Sequence, residues 1–130
     1  MIFWRKKKVP DQDPVSTRLG EFVFDPKYKE WRCTLDDETE YTIHACDFSQ
    51  DFAEKLFHLA EREKQLHGRF TKYITSNWIG EGQVEGIEYL GGSCSEEGEL
   101  SISYSTETDE FGIIIDLDDD LNFTGHMWYD

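Results

Sequence analysis

Three aspartates near the carboxyl end of the chain have the spacing of calcium ligands. Asp116, Asp118 and Asp120 alternate with other residues, as the first ligands of an EF-hand loop do. The following residues depart from that motif. Leu121 stands where a glycine makes the sharp turn, and Met127 stands where a bidentate glutamate is needed. The segment is therefore open to three interpretations: a solvated hairpin tip, a tip that contacts a protein, or a weak divalent-cation site.

Zinc chemistry would need histidine and cysteine side chains, usually in close pairs. His44 and Cys46 lie close in sequence and Cys94 is a third candidate, but the sequence contains no C-x-x-C pair. His58 and His67 are too far apart for the H-E-x-x-H spacing of metalloproteases. We therefore predict no metal and no cofactor.

The sequence carries no motif of nucleophilic or phosphate chemistry. It has neither a G-x-S-x-G nucleophile elbow nor a G-x-x-x-x-G-K-[ST] phosphate loop. The segment Gly80-Glu81-Gly82 lacks a third glycine and a preceding strand, so it predicts a loop. We accordingly predict that the protein is not an enzyme.

The charge of the chain is polarised along its sequence. The formal net charge is −15, and all thirteen Lys and Arg residues lie before residue 73, whereas half of the 28 acidic residues follow it. Such a field attracts cationic partners and speeds their association, with an effect that salt weakens. It also repels a phosphate backbone. We predict a basic protein as the partner and no direct binding of nucleic acid.

Length and composition suit one folded domain. The 130 residues include nine Phe, six Tyr and four Trp, which supply a core. The sequence has no apolar run near the roughly 20 residues needed to span a membrane. The three cysteines are odd in number, which favours reduced thiols and predicts a cytoplasmic location.

A domain boundary is predicted after residue 18. Pro10 and Pro14 disfavour regular structure in residues 1–18, which begin with an apolar tetrapeptide and then a run of basic residues. We interpret this segment as a basic, irregular arm that is either solvated or weakly attached to an anionic membrane or a partner. Residues 19–130 are predicted to form a single α+β domain.

Runs with a period of two predict strands at both ends of this domain. Residues 20–24 form the first run. Trp31, Cys33 and Leu35 alternate with polar residues, as do Tyr41, Ile43 and Ala45, and the acidic segment 36–39 joins these two runs as a hairpin turn. After a loop, with or without a short turn around residues 84–90, residues 100–104 alternate with serines.

The last two strand signals differ in character. Residues 111–117 are almost wholly apolar, as in a strand covered on both faces. A turn at 118–120 then leads into residues 122–129, where we expect Phe123 and Met127 to point the same way.

A long helical segment separates the two groups of strands. Asp47 or Ser49 is placed to cap it, it begins near Gln50, and it should end by Asn77. Gly68 predicts a kink or a break into two helices. The resulting fold class is α+β, a largely antiparallel sheet packed against one or two helices. The apolar stripe facing the sheet consists of Phe52, Leu56, Leu59, Leu66, Phe70 and Tyr73.

Three features carry a family resemblance. The first is the pair of opening strands, Glu21-Phe22-Val23-Phe24-Asp25 and Trp31-Arg32-Cys33-Thr34-Leu35, and the second is the helix end, Ile74-Thr75-Ser76-Asn77-Trp78. The third is the late hairpin, Leu100-Ser101-Ile102-Ser103-Tyr104 with Asp109-Glu110-Phe111-Gly112-Ile113-Ile114-Ile115. Over residues 19–129 the chain resembles a bacterial family known as domain of unknown function 2262. That family usually has a histidine after the glycine of the late strand, where this chain has Ile113. Relatives of this type often lie beside polymorphic toxin genes. The resemblance therefore implies an immunity role, and it transfers no catalytic residue.

The sequence thus predicts a non-catalytic, immunity-type inhibitor that occludes a cationic toxin, with a nuclease as the expected class. Two alternatives stay open: an adaptor or housekeeping interaction module whose acidity serves solubility, and a weak cation binder at the Asp-rich hairpin. Trp78, Tyr89, Phe123 and Trp128 are either interface anchors or core residues. The expected partner-binding set consists of Glu96, Glu97, Glu99, Asp109, Glu110, Asp118, Asp119 and Asp120.

Overall fold

A computed structural model describes residues 10–78, 82–107 and 111–129 of the chain. The described residues form one eight-stranded sheet and one long helix. The predicted mixture of helix and largely antiparallel sheet is confirmed, with a single helix and with more of the molecule in the sheet than was expected. In chain order the elements are β1 Val15–Ser16, β2 Glu21–Asp25, β3 Glu30–Thr34, β4 Glu40–Ile43, α1 Gln50–Ser76, β5 Glu88–Cys94, β6 Leu100–Ser105, β7 Gly112–Leu117 and β8 Phe123–Tyr129.

The strands follow one another across the sheet in chain order. Each pairs antiparallel with the next, except that β4 and β5 are parallel. Parallel neighbours need a crossover connection, and α1 supplies it. The helix packs on one face of the sheet, and no described helix covers the other face, which we call the open face. The described part of the chain contains no helix that is long and apolar enough to cross a bilayer.

Short-range signals place the ends of α1 where the sequence predicts them. Ser49 is the N-cap, and its Oγ accepts a hydrogen bond from the backbone N–H of Phe52 at 3.2 Å. Such a bond satisfies one of the free N–H groups of the first turn. The helix ends at Ser76 with Asn77 as its C-cap.

The helix runs unbroken through Gly68, where a kink or a break was predicted. Gly68 is exposed, while its neighbours on the buried stripe, Leu66 and Phe70, pack into the core. A glycine costs a helix about 1 kcal/mol, whereas each large apolar side chain buried beside it contributes roughly 1.5–3 kcal/mol. Packing therefore outweighs the local preference.

The core lies between α1 and the face of the sheet that the helix covers. Alternate residues of the strands point into it, which confirms the predicted period of two. Its helical residues are Ala53, Leu56, Leu59, Leu66, Phe70 and Ile74, and its fully buried large strand residues are Phe22, Trp31, Tyr41, Ile43, Ile102, Tyr104, Ile113 and Ile115.

The central strand β5 lies in a segment that the sequence predicted as a loop. Its Gly91 and Gly92 explain the error, because adjacent glycines are unusual inside strands. A Cβ at Gly91 would lie 1.7 Å from the backbone oxygen of Glu40, and one at Gly92 would lie 2.7 Å from Cδ2 of Leu59. The glycines let β4 and α1 approach β5 closely, so tertiary packing overrides the local signal.

A β-bulge changes the direction of two side chains in β8. Phe123 pairs with Leu117 on the helix-covered face, and the register then skips Thr124. Met127 consequently pairs with Ile114 on the open face. The prediction that Phe123 and Met127 point the same way is wrong, because one extra residue in a strand reverses the side-chain alternation beyond it.

Only one face of β7 is covered, although its apolar sequence predicted two covered faces. Ile113 and Ile115 are buried against α1. On the open face Ile114 is half-buried and Asp116 is exposed. Since the described helix lies on one side of the sheet, the other side of β7 stays accessible.

β1 lies within the segment that was expected to be an irregular arm. Val15 pairs with Phe22 and Ser16 pairs with Glu21. The side chain of Gln12 also donates a hydrogen bond to the carbonyl of Cys46 at 2.9 Å. Part of that segment therefore packs on the sheet, and residues 1–9 lie outside the described ranges.

Candidate functional site

Two acidic turns meet at one end of the sheet. The first joins β5 to β6 at residues 95–99, and the second joins β7 to β8 at residues 118–122. They are neighbours because Leu100, which follows the first, pairs with Leu117, which precedes the second. The structure therefore brings six of the eight expected acidic residues into one region. The other two, Asp109 and Glu110, lie outside the described residues.

The first turn is held by its backbone and one serine. The N–H of Ser95 donates to the carbonyl of Glu99 at 2.8 Å, and the Ser95 Oγ accepts from the N–H of Glu99 at 3.0 Å. Gly98 has a φ of +86°, which favours glycine. Glu96, Glu97 and Glu99 are exposed, and their carboxylates make no ion pair or hydrogen bond with another described side chain. These three charges therefore face solvent.

The second turn is organised by Asp118. Its Oδ1 accepts hydrogen bonds from the N–H groups of Asp120 at 2.9 Å and Asn122 at 2.8 Å. The backbone hydrogen bond from Asn122, followed by the side-chain bond from the same residue, lowers the pKa of Asp118. Its carboxylate is thus used within the turn. Asp119 and Asp120 are exposed, and their carboxylates accept no hydrogen bond from another described residue of the turn.

A lysine ammonium lies between the two turns. Lys55 Nζ donates to the carbonyl of Gly98 and to Oδ1 of Asp119, each at 3.0 Å. The positive charge of that ammonium would repel a divalent cation bound at this place. Among the described residues no group of three or more His, Cys, Asp or Glu is arranged to hold a metal ion.

The open face of the sheet is a second candidate surface, and no sequence pattern predicted it. Across one row of paired residues it presents Thr34, Glu40, Gly91, Ser103, Ile114 and Met127 in turn. The adjacent row presents Arg32, Thr42, Ser93, Ser101, Asp116 and Gly125. Small residues at the centre and larger ones at the sides make a shallow groove along β5 and β6.

Acidic neighbours compensate the charge of Arg32 on this face. Its guanidinium forms ion pairs with Asp25 at 2.8 Å, with Glu30, and with Glu40 at 3.8 Å. Hydrogen bonding to Glu30 raises the pKa of Arg32 further. His44 also contacts Glu30, with 2.9 Å between Nδ1 and Oε2. One arginine thus faces three carboxylates, and the face stays negative.

The structure separates the residues considered for zinc. His44 points to the open face, where it contacts Glu30. Cys94 is buried on the helix-covered side, and this burial raises its pKa to about 11. Cys46 is exposed, and its carbonyl accepts a hydrogen bond from Trp31 Nε1 at 3.1 Å.

Three tyrosines lie under α1 as neutral hydroxyls. Tyr41 and Tyr89 approach each other with 3.2 Å between their hydroxyl oxygens, and the Tyr104 hydroxyl lies 3.5 Å from His67 Nδ1. Burial raises the pKa of Tyr41 to about 12 and raises those of Tyr89 and Tyr104 well above their ordinary value. Burial therefore favours the neutral form of each hydroxyl.

The four aromatic residues considered as interface anchors are partly buried. Tyr89, Phe123 and Trp128 pack against the core. Trp78 packs edge-to-face on Trp128, with 5.0 Å between ring centroids. The structure thus gives each of them a packing role.

No protein-family model, no curated protein and no solved structure matches this chain. The resemblance described from the sequence therefore stays a prediction.

Proposed function

We propose that the protein is a non-catalytic inhibitor of the immunity type, which binds a cationic toxin, expected to be a nuclease, and occludes it. The observation that carries this proposal is the meeting of the two acidic turns. Five exposed carboxylates converge there, those of Glu96, Glu97, Glu99, Asp119 and Asp120, with Lys55 as the neighbouring cation.

Electrostatics explains why such a surface suits a nuclease. The phosphate-binding groove of a nuclease is basic because it must hold a polyanion. Carboxylates on a rigid sheet end could take the place of phosphates in that groove and exclude the substrate. Exposed charges of this kind chiefly set the association rate and the choice of partner.

The first experiment is affinity capture from the lysate of the native host at low salt and again at about 0.5 M salt, where the Debye length falls to a few ångströms. A single basic protein that survives the high-salt wash supports a specific inhibitor. A mixture of basic proteins that is lost at high salt contradicts it. Capture of a host protein that is not basic would favour the adaptor alternative.

The second experiment tests the acidic turns with the captured partner. One variant reverses four charges, Glu96→Lys, Glu97→Lys, Glu99→Lys and Asp120→Lys; Asp118 and Asp119 are left intact because Asp118 holds its turn and Asp119 binds Lys55. We expect the association rate at low salt to fall by roughly tenfold or more, with a weaker salt dependence.

A matched control reverses four exposed acidic residues elsewhere, Asp11→Lys, Asp13→Lys, Asp36→Lys and Glu61→Lys. Both variants change the net charge equally. Equal losses of rate in the two would mean that total charge, and not these turns, governs association. Inhibition assays with the captured toxin then show whether binding also blocks its activity.

A further inference from the structure

Four of the five exposed large apolar side chains of the described residues lie on the open face. Val23 is 51% exposed, Leu90 38%, Met127 59% and Tyr129 37%; Tyr28, at 60%, lies instead in the β2–β3 turn and lines no part of the groove along β5 and β6. The solvent side of α1 has no comparable residue within its described length. Leu90 and Tyr129 line one groove on this face, with Met127 beside it, and exposed apolar side chains among polar ones are typical of a protein-binding site.

A groove along β5 and β6 runs through this surface. Its floor is Gly91, Ser93 and Ser103, and the hydroxyls of the two serines make no hydrogen bond with another described residue. Strands lie about 4.8 Å apart, so the walls on β4 and β7 stand roughly 14 Å apart. The groove has a volume of about 450 Å³. A segment of extended chain fits a channel of this width.

The two walls of the groove differ in chemistry. Glu38 and Glu40 line the β4 side. Ile114 and Tyr129 line the opposite side, with Met127 next to Ile114 in the pairing. Side chains of an extended segment alternate in direction. A segment lying in the groove would therefore direct every second side chain toward carboxylates and the others toward apolar groups.

We propose that this groove binds an extended segment of the partner protein in which basic and apolar residues alternate. The inference rests on the proposed function, and it adds the contact surface and the sequence pattern that the surface selects. Charge complementarity favours this occupant over a second copy of the chain, since two molecules of net charge −15 repel each other. The acidic turns then steer the partner and the groove holds it.

The test uses a defined heptapeptide, acetyl-Lys-Val-Lys-Val-Lys-Val-Lys-amide, titrated into the full-length, isotopically labelled protein. A peptide of the same composition with its lysines and valines in two blocks is the first control. We expect the alternating peptide to shift the amide signals of Thr42, Gly91, Ser93 and Ser103. Binding of both peptides with equal affinity, or shifts confined to residues 95–99 and 118–122, would overturn the proposal.

Paired variants separate the two walls. We expect Glu38→Lys with Glu40→Lys to weaken peptide binding by roughly tenfold, and Met127→Ser with Tyr129→Ser to weaken it about threefold. The controls are Asp13→Lys with Glu61→Lys for charge, and Tyr28→Ser for apolar area; both should leave affinity within about twofold. Equal effects of groove and control variants would contradict a groove-bound segment.

A further variant tests whether the chain fills its own groove. Arg5, Lys6, Lys7 and Lys8 follow four apolar residues in the sequence, so residues 1–9 have suitable chemistry. In a variant with these four residues changed to Gln, unchanged groove signals support an external occupant. If the groove signals shift without peptide and the peptide binds more tightly, the occupant is this segment and the partner assignment is wrong.

The outcomes distinguish the inference from the function on which it rests. If the peptide occupies the groove but no basic protein is captured from lysate, the groove is supported as a binding site and the inhibitor role is contradicted. If a basic partner is captured and its binding is insensitive to the groove variants, the inhibitor role is supported and the assignment of the groove as its contact surface is contradicted.

Discussion

The ammonium of Lys55 lies 3.0 Å from Oδ1 of Asp119 and an equal distance from the carbonyl oxygen of Gly98. One side chain of α1 thus contacts both acidic turns. The contact fixes the turns relative to the helix, and it places the ammonium beside the carboxylates proposed to attract a basic partner.

Replacing Lys55 with methionine should separate these two effects. We expect the free energy of unfolding to fall by about 0.5–1.5 kcal/mol, because a hydrogen bond and a partly exposed ion pair are lost. The association rate with a basic partner should rise at low salt, because the substitution removes a positive charge that repels the partner. Urea denaturation and stopped-flow kinetics measure the two quantities. Lys72→Met, an exposed change on α1, is the control, and an equal loss of stability there would contradict the bridging role.

The sequence was a good guide wherever one face of an element is buried. The alternation of Trp31 and Cys33 with polar residues predicted β3, and the cap at Ser49 predicted the start of α1. These signals are local: a strand repeats every two residues, and a cap acts within one turn.

The candidate site depends on long-range packing, and the sequence was a poor guide there. β5 resembles a loop because of Gly91 and Gly92, yet it is the strand on which the groove is built. The shift at Thr124 places Met127 on the open face, and no local pattern reports it. The neighbouring positions of the two acidic turns likewise follow from the register of β6 and β7, which depends on tertiary contacts.

Gly91 should tolerate no side chain. Its φ is +138°, and an added Cβ would lie 1.7 Å from the backbone oxygen of Glu40. A backbone atom cannot move aside without breaking the pairing of β4 and β5. We expect Gly91→Ala to lower the free energy of unfolding by about 3 kcal/mol or more. Chemical denaturation, or loss of soluble protein, measures this, and wild-type stability would show that the two strands do not approach so closely.

Gly68→Ala should have the opposite effect. The glycine is exposed in α1, and an added Cβ would meet no atom within 4 Å. Alanine lowers the conformational freedom of the unfolded chain and favours the helix, so we expect stabilisation by about 0.5–1 kcal/mol. A thermal melt that falls instead of rising would indicate that the helix is broken at this residue.

Acid should weaken the turn that Asp118 organises. Hydrogen bonds from Asn122 lower its pKa below the ordinary value of 3.8. A lowered folded-state pKa gives stability that is complete above the unfolded value and is lost as the pH falls through the folded one. Asp118→Asn should therefore be less stable than wild type near pH 7, and the difference should shrink below about pH 4. Denaturation at several pH values tests this, with Asp120→Asn as the control; a difference that does not vary with pH would contradict it.

Alkali should destabilise the fold through its buried tyrosines. Burial raises the pKa of Tyr89 far above its ordinary value and that of Tyr41 to about 12. Since a raised folded-state pKa favours the neutral group, the stability is complete below the unfolded value of about 10 and decreases as the pH rises above it. Each such tyrosine should contribute a loss of about 1.4 kcal/mol per pH unit there.

Tyr89→Phe tests this assignment because it removes one titrating group and keeps the ring. We expect a small loss of stability at neutral pH, from the missing hydrogen bond to Tyr41, and a shallower decline above pH 10. Tyr28→Phe, at a residue that is 60% exposed, should keep the wild-type decline. Denaturation measured between about pH 9 and pH 11 compares the slopes. If Tyr89→Phe keeps the wild-type slope, Tyr89 is accessible to water and the packing of β5 beneath α1 is looser than the structure describes.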